Sequence, residues 1–530
     1  MAQNQQLKTQ VAAGLSWKFA ERLLSQLITF VVSLVLARLL LPEDYGAVAM
    51  LTIFITVADV IITSGLAVAL IQKKDATEAD FSTAFYCNFI LSCVLYAILF
   101  FLAPTIANMY SLPELSLLLR VLALKLPVSA YNSIQNSYIS RNMQFKKLFF
   151  STLFGTVFSA ALGVFFAYKG YGAWALIIQQ LSSIAINTLI LAFTVKWHPK
   201  LIFSRSSFKS MAGYGIKVMG TDLTGTAFNQ INPFIVGLKY TTADLGFYTK
   251  GQQLPNMMNG TIVNALSSVL FPAISKVANS GGDVKKVSSK SLKLIAYVLF
   301  PIMFGLAAVS KELTVVLYTS VWLDMVPYMI IMCVDGAINV IGSIDILILK
   351  AIGKSGATLK LELIKKPLYL GLIVLAMYLG IIYIAISVPI MSLIGIMINS
   401  IALKKTIKYG FFEKLKDCAY AFLLSAVMFG AVFGLGYIPI SSNVLLLAIK
   451  VIVGVAIYVG LSALFKNQSF CIVLNYLKHF VKRKRASKST ENSENAETIA
   501  DKIATEETKD SKENSDEENL SETDEYDEKE

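Results

Sequence analysis

The sequence has few charged residues for its length. Of its 530 residues, 15% are charged and 55% are hydrophobic, whereas soluble globular domains carry roughly 25% charged residues. This shortage excludes an ordinary water-soluble domain, because such a chain would expose a large apolar surface. A lipid solvent accounts for the composition.

Histidine and cysteine are also scarce. The two histidines, His198 and His479, belong to no hydrolase or metalloprotease motif. The five cysteines show no CxxC spacing, and most stand within apolar runs, so they predict small core residues rather than disulfides or zinc ligands. The sequence therefore predicts no enzyme, no metal site and no cofactor.

Charge is distributed unevenly along the chain. Residues 486–530 carry 17 acidic and 5 basic side chains and almost no large apolar residues, a composition typical of a disordered segment. The preceding residues have a net charge of +24, which suits anionic lipid head groups or an anionic cargo. Charge alone does not choose between these partners, and no nucleic-acid partner is expected.

Long apolar runs fill most of the remaining chain. A transmembrane helix needs about 20 mainly apolar residues. A single helix over residues 367–403 would be about 55 Å long, so that stretch is divided at Gly380. The sequence thus predicts about fourteen spans: 15–41, 45–70, 81–105, 115–139, 148–168, 171–195, 210–237, 244–275, 291–310, 325–350, 363–380, 381–403, 417–437 and 443–465.

Basic residues gather at one side of these predicted spans. The loops on that side contain 24 Lys/Arg, among them Lys365, Lys366 and Lys414, and the loops on the other side contain 3. Because basic loops stay in the cytoplasm, both termini are predicted to be cytoplasmic. The basic run at 482–485 would then anchor the chain at the inner membrane surface.

A short motif recurs at an interval of 200 residues. ARLLLPEDYG at 37–46 and GLKYTTADLG at 237–246 share an Asp-x-Gly turn. Repeats with an even number of spans have the same orientation, so two halves would face each other about an axis normal to the membrane. The prediction is one six-helix bundle over 1–200 and a second over 201–410, two additional helices with a basic segment over 411–485, and a disordered acidic tail over 486–530.

Polar side chains recur at helical spacing inside several predicted spans. Ionisable residues at membrane depth usually face a bundle interior or a water-filled cavity, so these stripes predict a central cleft. Four cations could contact an anionic cargo: Arg22, Lys125, Lys217 and Lys250. The carboxylates could neutralise them or bind a coupling proton or sodium ion, and the amides could line the cavity or simply join helices: Asp59, Asp222, Asp335, Asp345, Asn132, Asn136, Asn229 and Asn339.

Six segments of the chain match a known family. The most specific match is ARLLLPEDYG at 37–46. The further matching segments are GLAVALIQKKDATEADFSTAF (65–85), LLRVLALKLPVSAYNSIQNSYISRNMQFKKL (118–148), GYGAWALIIQQL (170–181), LGFYTKGQQLP (245–255) and VLFPAIS (269–275). These segments resemble those of the Wzx-type polysaccharide and lipopolysaccharide flippases of the MOP exporter superfamily, especially the branch with the teichuronic and colanic acid exporters. The resemblance covers roughly residues 12–470 and leaves out the acidic tail.

The resemblance implies an all-α integral membrane protein with two bundles around a cleft that works by alternating access. Its implied cargo is an undecaprenyl-pyrophosphate-linked oligosaccharide, whose pyrophosphate would contact the cavity cations. The implied location is the bacterial cytoplasmic membrane, with membrane lipids and polysaccharide polymerase or export machinery as partners. The alternatives are a cation-coupled exporter of small molecules, as in the related drug-efflux branch, and a non-transporting membrane scaffold.

Overall fold

A computed structural model describes residues 2–438, 440–465, 469–471 and 474. The chain divides into two units, residues 1–458 and 459–530, and all contacts given below lie within the first. The predicted basic anchor at 482–485 and the acidic tail at 486–530 lie outside the described residues. Regular structure in the described residues is entirely helical: α1 Ala2–Leu39, α2 Pro42–Thr63, α3 Leu66–Gln72, α4 Glu78–Met109, α5 Leu115–Leu122, α6 Lys125–Arg141, α7 Phe145–Tyr168, α8 Ala173–Thr194, α9 Arg205–Lys239, α10 Thr242–Asn279, α11 Val284–Ala308, α12 Ser310–Leu317, a 3-10 turn Ser320–Met325, α13 Val326–Ala351, α14 Ser355–Leu379, α15 Ile381–Ile407, α16 Phe411–Gly434, a 3-10 turn Leu435–Tyr437 and α17 Asn443–Leu464.

Twelve stretches in the described part of the chain are long and apolar enough to cross a membrane. The predicted spans 210–237 and 363–380 are not among them, although they correspond to α9 and α14, which are 35 and 25 residues long. Both helices carry charged residues that lower their hydropathy. The chain is thus an all-α membrane protein with about twelve clear spans, and the count of fourteen stays a prediction.

Two interruptions shape the helices. Gly380, at φ +131°, separates α14 from α15, and these helices pack against each other, which confirms the predicted hairpin. The predicted span 115–139 falls within one stretch able to cross a membrane, Leu115–Arg141, which consists of two helices, α5 and α6. Pro127 explains this break, because its ring crowds the carbonyl group four residues earlier, that of Ala123, and it has no N–H to donate. Lys125 therefore begins α6 in mid-span.

The helices run between two ends of the bundle, which we name after residues found there. The Asp44 end contains the turns between α1 and α2 and between α9 and α10. The Arg141 end contains the last residues of α3 and the turn that follows them, whose carbonyl oxygens accept hydrogen bonds from the Arg141 guanidinium, at 3.2 Å for Leu70 and 2.6 Å for Lys74.

The duplicated motif forms equivalent helix starts at the Asp44 end. The Asp44 carboxylate accepts a hydrogen bond from the Leu41 amide at 3.0 Å. The Asp244 carboxylate accepts one from the Thr241 amide at 3.1 Å. Each acidic side chain thus satisfies a backbone donor at the beginning of its helix, α2 or α10.

The glycines of the same motif allow α2 and α10 to cross in direct backbone contact. A Cβ atom on Gly46 would lie 1.7 Å from the Thr242 carbonyl oxygen, and one on Gly246 would lie 2.1 Å from that of Pro42. No larger residue fits either position without separating the helices. The two copies of the motif therefore contact each other reciprocally.

We expect Gly46→Ala to destabilise the protein by about 1–3 kcal/mol or more, because the added methyl group forces the crossing apart. Thermal unfolding of the purified protein in detergent would measure the change. Gly220→Ala on α9 is the matched control, since no heavy atom lies within 4 Å of the Cβ position there. Equal stability of the two variants would contradict the close crossing.

Candidate functional site

The middle of α9 presents a polar face to open space. Polar and charged side chains at this depth face a bundle interior or water rather than lipid. Gly220 and Gly225 on the same helix also have no heavy atom within 4 Å of the Cβ position. The polar residues exposed on α9 include three of the predicted site residues, Lys217, Asp222 and Asn229; the full set is Lys217, Thr221, Asp222, Thr224 and Asn229.

A cavity of about 440 Å³ lies between α2, α9 and α10. Its lining includes Lys250 and Asn229, two of the predicted site residues. The Lys250 side chain is only 6% exposed; its ammonium donates to Ser33 Oγ at 2.8 Å and lies 3.9 Å from the centroid of the Tyr45 ring. A hydroxyl and a ring face thus hold this cation in place of a carboxylate.

Hydrogen bonds close the Asp44 end beside this cavity. The Arg38 side chain donates to the Leu317 carbonyl oxygen at 2.9 Å, and the Trp322 indole N–H donates to that of Ala37 at 2.8 Å. The last turns of α1 are therefore fixed to α12 and to the 3-10 turn that follows it. The Trp322 ring also packs edge-on against Tyr45, with centroids 5.3 Å apart.

Tyr318 adds a second ring near Lys250. The ammonium lies 5.9 Å from its centroid. Burial raises the pKa of this phenol, which stands between α12 and the 3-10 turn, to about 12. The ring is therefore neutral at physiological pH and contributes its face, not a charge, to the surroundings of Lys250.

A second cavity, of about 340 Å³, lies between α9, α13, α14 and α15, and we name it the α14 pocket. It adjoins the Lys250 cavity, because Asn229 lines both. Asn339, another predicted site residue, also lines this pocket. The remaining polar lining consists of Ser343, Glu362, Lys365, Lys366, Tyr369, Ser392 and Asn399.

The assignment of Lys365 and Lys366 to a basic loop is wrong. They lie within α14, which begins eight residues before the predicted span 363–380, and they line the α14 pocket. The sequence held a signal for this position: Glu362, Lys366 and Tyr369 are spaced by four and three residues, which places them on one face of a helix. Both lysines lie in the first turn of the predicted span 363–380, where basic residues at a helix end also suit a cytoplasmic loop.

Asn132 and Asn136 belong to a hydrogen-bond network between helices. Asn136 Nδ2 donates to Asn132 Oδ1 at 2.7 Å, and Asn132 Nδ2 donates to Asn187 Oδ1 and Thr188 Oγ1, both at 2.9 Å. This network joins α6 to α8 and favours the helix-joining role for the two amides.

Asp345 is held in a buried ion pair. Its carboxylate lies 2.7 Å from the Lys414 ammonium, and both side chains are 1% exposed. Lys414 also donates to Ser400 Oγ at 2.8 Å. The assignment of Lys414 to a basic loop is therefore wrong as well: it lies in α16 and joins α13, α15 and α16.

The other predicted site residues occupy separate positions. Asp335 accepts a hydrogen bond from Ser392 Oγ at 2.6 Å, next to the α14 pocket. Asp59, on α2, has one carboxylate oxygen that is buried without a hydrogen-bond partner among the described residues. Arg22 is exposed on α1, and Lys125 is partly buried at the start of α6. The described residues contain no group of three His, Cys, Asp or Glu side chains that could hold a metal ion.

Comparisons with known proteins agree on one class. A family described as "Polysaccharide biosynthesis protein" matches residues 35–327. The succinoglycan biosynthesis transport protein ExoT of Rhizobium meliloti is 25% identical over 350 residues, which cover 66% of this chain and 70% of that protein.

Two solved structures resemble the fold. The lipid II flippase MurJ in an inward closed conformation gives a TM-score of 0.70 at 18% identity and covers 85% of this chain and 98% of its own. An inward-facing multidrug resistance MATE transporter of the MOP superfamily gives a TM-score of 0.54 at 14% identity, with coverage of 77% and 95%. The arrangement of helices is therefore similar to that of MurJ and of this MATE transporter.

We expect Asp345→Asn to lower stability by about 3–5 kcal/mol, because Lys414 would be left buried without its counter-charge. The double variant Asp345→Asn, Lys414→Met should recover most of that loss, since it removes both buried charges. A double-mutant cycle on thermal unfolding tests the pair. Losses that simply add in the double variant would contradict the ion pair.

Proposed function

The chain belongs to the polysaccharide biosynthesis protein family and is a multi-pass membrane transporter, and on that premise we propose that it moves an undecaprenyl-pyrophosphate-linked oligosaccharide across the bacterial cytoplasmic membrane. The cargo would serve lipopolysaccharide, capsule or exopolysaccharide assembly. The family consists of transporters rather than enzymes. The protein therefore has to bind its cargo and then expose the binding site to the other side of the membrane. Polysaccharide polymerase or export machinery would receive the product.

The proposal rests chiefly on one observation, the polar cleft next to a closed end. The polar face of α9 borders open space, while the Asp44 end is fastened by Arg38 and Trp322. A cargo with a charged head could enter such a cleft without contacting hydrocarbon. Release would then require the contacts at the Asp44 end to open.

For this transport mechanism we propose the arrangement of spans that the sequence predicts. Counting α9 and α14 gives fourteen spans, arranged as a six-helix bundle over 1–200, a second over 201–410 and two additional helices before 485. The basic loops support a cytoplasmic Arg141 end and cytoplasmic termini. The reciprocal crossing of α2 and α10 at Gly46 and Gly246 supports a pairing of equivalent halves.

We propose that Arg22, Lys125, Lys217 and Lys250 bind the cargo pyrophosphate at successive stages. The exposure of Lys217 and Arg22 supports early contact, and the buried position of Lys250 beside the closed end supports late contact. Asp59 and Asp222 remain candidates for a coupling proton or sodium ion. Asp345 is a weaker candidate, because Lys414 already neutralises it.

A cation-coupled exporter of small molecules is the second candidate, favoured by the likeness to the MATE fold. Purified protein in proteoliposomes can be assayed both for translocation of an undecaprenyl-pyrophosphate-linked oligosaccharide and for efflux of a cationic dye. Translocation of the lipid-linked sugar without dye efflux is the expected result. Dye efflux alone would reverse the assignment.

In the same assay, Arg22→Ala, Lys125→Ala and Lys217→Ala should each slow translocation about tenfold, the effect of losing one charge-assisted hydrogen bond to phosphate. Lys169→Ala, which removes an exposed lysine after α7, is the matched control and should retain full activity. Full activity in all three cleft variants would exclude these cations from cargo binding.

Cysteine labelling tests the orientation of the cleft. In a background without the five native cysteines, Thr221→Cys on the exposed face of α9 should react with a membrane-impermeant maleimide in inside-out vesicles and not in right-side-out vesicles. Val236→Cys on the same helix is the control, because Val236 is fully buried near the Asp44 end and should react in neither. Labelling of Thr221→Cys only in right-side-out vesicles would reverse the proposed orientation.

A further inference from the structure

The α14 pocket has one lysine, Lys366, that forms no ion pair among the described residues. The Lys366 ammonium lies 4.2 Å from the centroid of the Phe228 ring on α9. The nearby Glu362 is paired with Lys365 and attracts the Lys366 ammonium without forming an ion pair with it. Asp335, behind the pocket, is occupied by the Ser392 hydroxyl. Each of these carboxylates thus has a partner other than Lys366, and the Lys366 ammonium, which lies over a ring face, remains available to an anion.

The rest of the lining suits a sugar. Sugar hydroxyls both donate and accept hydrogen bonds, and amide and hydroxyl side chains do the same. The pocket presents three amides, from Asn229, Asn339 and Asn399, and three hydroxyls. Asn399 is 2% exposed, and its Oδ1 has no hydrogen-bond partner among the described residues.

Hydrogen bonds between helices do not account for all of the amides and hydroxyls in the α14 pocket. Ser343 donates to Asn339 at 3.1 Å, but both residues stand on α13, so this bond connects no two helices. A small cation is a poor occupant as well, because Lys366 would repel it. The cavity volume of about 340 Å³ lies within the usual range for small-molecule sites.

Building on the proposed function, we infer that the α14 pocket binds an acidic sugar of the cargo glycan, with the sugar carboxylate at Lys366 and the ring hydroxyls at the amides. Because Asn229 also lines the Lys250 cavity, the pocket lies beside the region proposed to hold the pyrophosphate. The lipid-proximal phosphate and a sugar of the head group would thus be bound in adjoining spaces. Lys366 would determine a preference for acidic glycans.

Methyl β-D-glucuronide and methyl β-D-glucoside are suitable probes, since they differ only in the carboxylate. Binding of each to the full-length protein in lipid nanodiscs can be measured by saturation-transfer NMR. The glucuronide should bind about tenfold more tightly, the difference expected between a charge-assisted and a neutral hydrogen bond. Lys366→Gln should abolish this preference, and Lys366→Arg should retain most of it.

Lys360→Gln, which changes an exposed lysine of α14 outside the pocket lining, is the control and should leave the preference intact. Equal binding of both probes to the wild-type protein, no saturable binding of either, or an unchanged preference in Lys366→Gln would each overturn the inference. Inorganic pyrophosphate provides a further comparison: loss of pyrophosphate binding in Lys366→Gln, with glucuronide binding unchanged, would make Lys366 a phosphate ligand and overturn it as well. Because these measurements need no transport, they are independent of the translocation assay.

Discussion

Hydrocarbon offers no hydrogen-bond partner to a charged side chain, and in this protein that constraint divides the ionisable residues of the bundle into three groups. Asp345 and Lys414 neutralise each other in a fully buried pair. Lys250 lacks a carboxylate and is held by the Ser33 hydroxyl and the Tyr45 ring. Lys217 and Asp222 are exposed on α9, where only water can solvate them. The third group therefore supports the proposed cleft along α9.

In the proposed cleft, the close crossing of α2 and α10 would form the closed end. Two glycines permit backbone contact there, and the capping carboxylates of Asp44 and Asp244 fix the start of both helices. Arg38 and Trp322 then fasten α1 to the segment around α12. Opening this end would break a small number of directional hydrogen bonds while the capped helix starts could stay intact. Such an arrangement suits the alternating access that we propose.

The two adjoining cavities match the two chemical parts of the proposed cargo. The Lys250 cavity contains an ammonium group suited to phosphate, and the α14 pocket contains amides, hydroxyls and Lys366, which suit a sugar. Asn229 belongs to both. The part-buried network of Asn132 and Asn136 favours a structural role for that polar stripe, because Asn132 donates to Asn187 and Thr188 and so joins α6 to α8.

The sequence by itself determined the membrane class, most helix positions, the hairpin at Gly380 and the two Asp-x-Gly turns, because apolar length, glycine conformation and capping are local properties. It also identified Lys250, Asn229 and Asn339 as residues of interest. Only the tertiary structure decided that the two motif copies contact each other, that Asp345 pairs with Lys414, and that Lys365 and Lys366 line a pocket. Those outcomes depend on partners from helices distant in the chain. The physical reason is that the residues packed opposite a charged side chain decide whether it is paired or solvated inside a membrane. Periodicity along one helix does not contain that information.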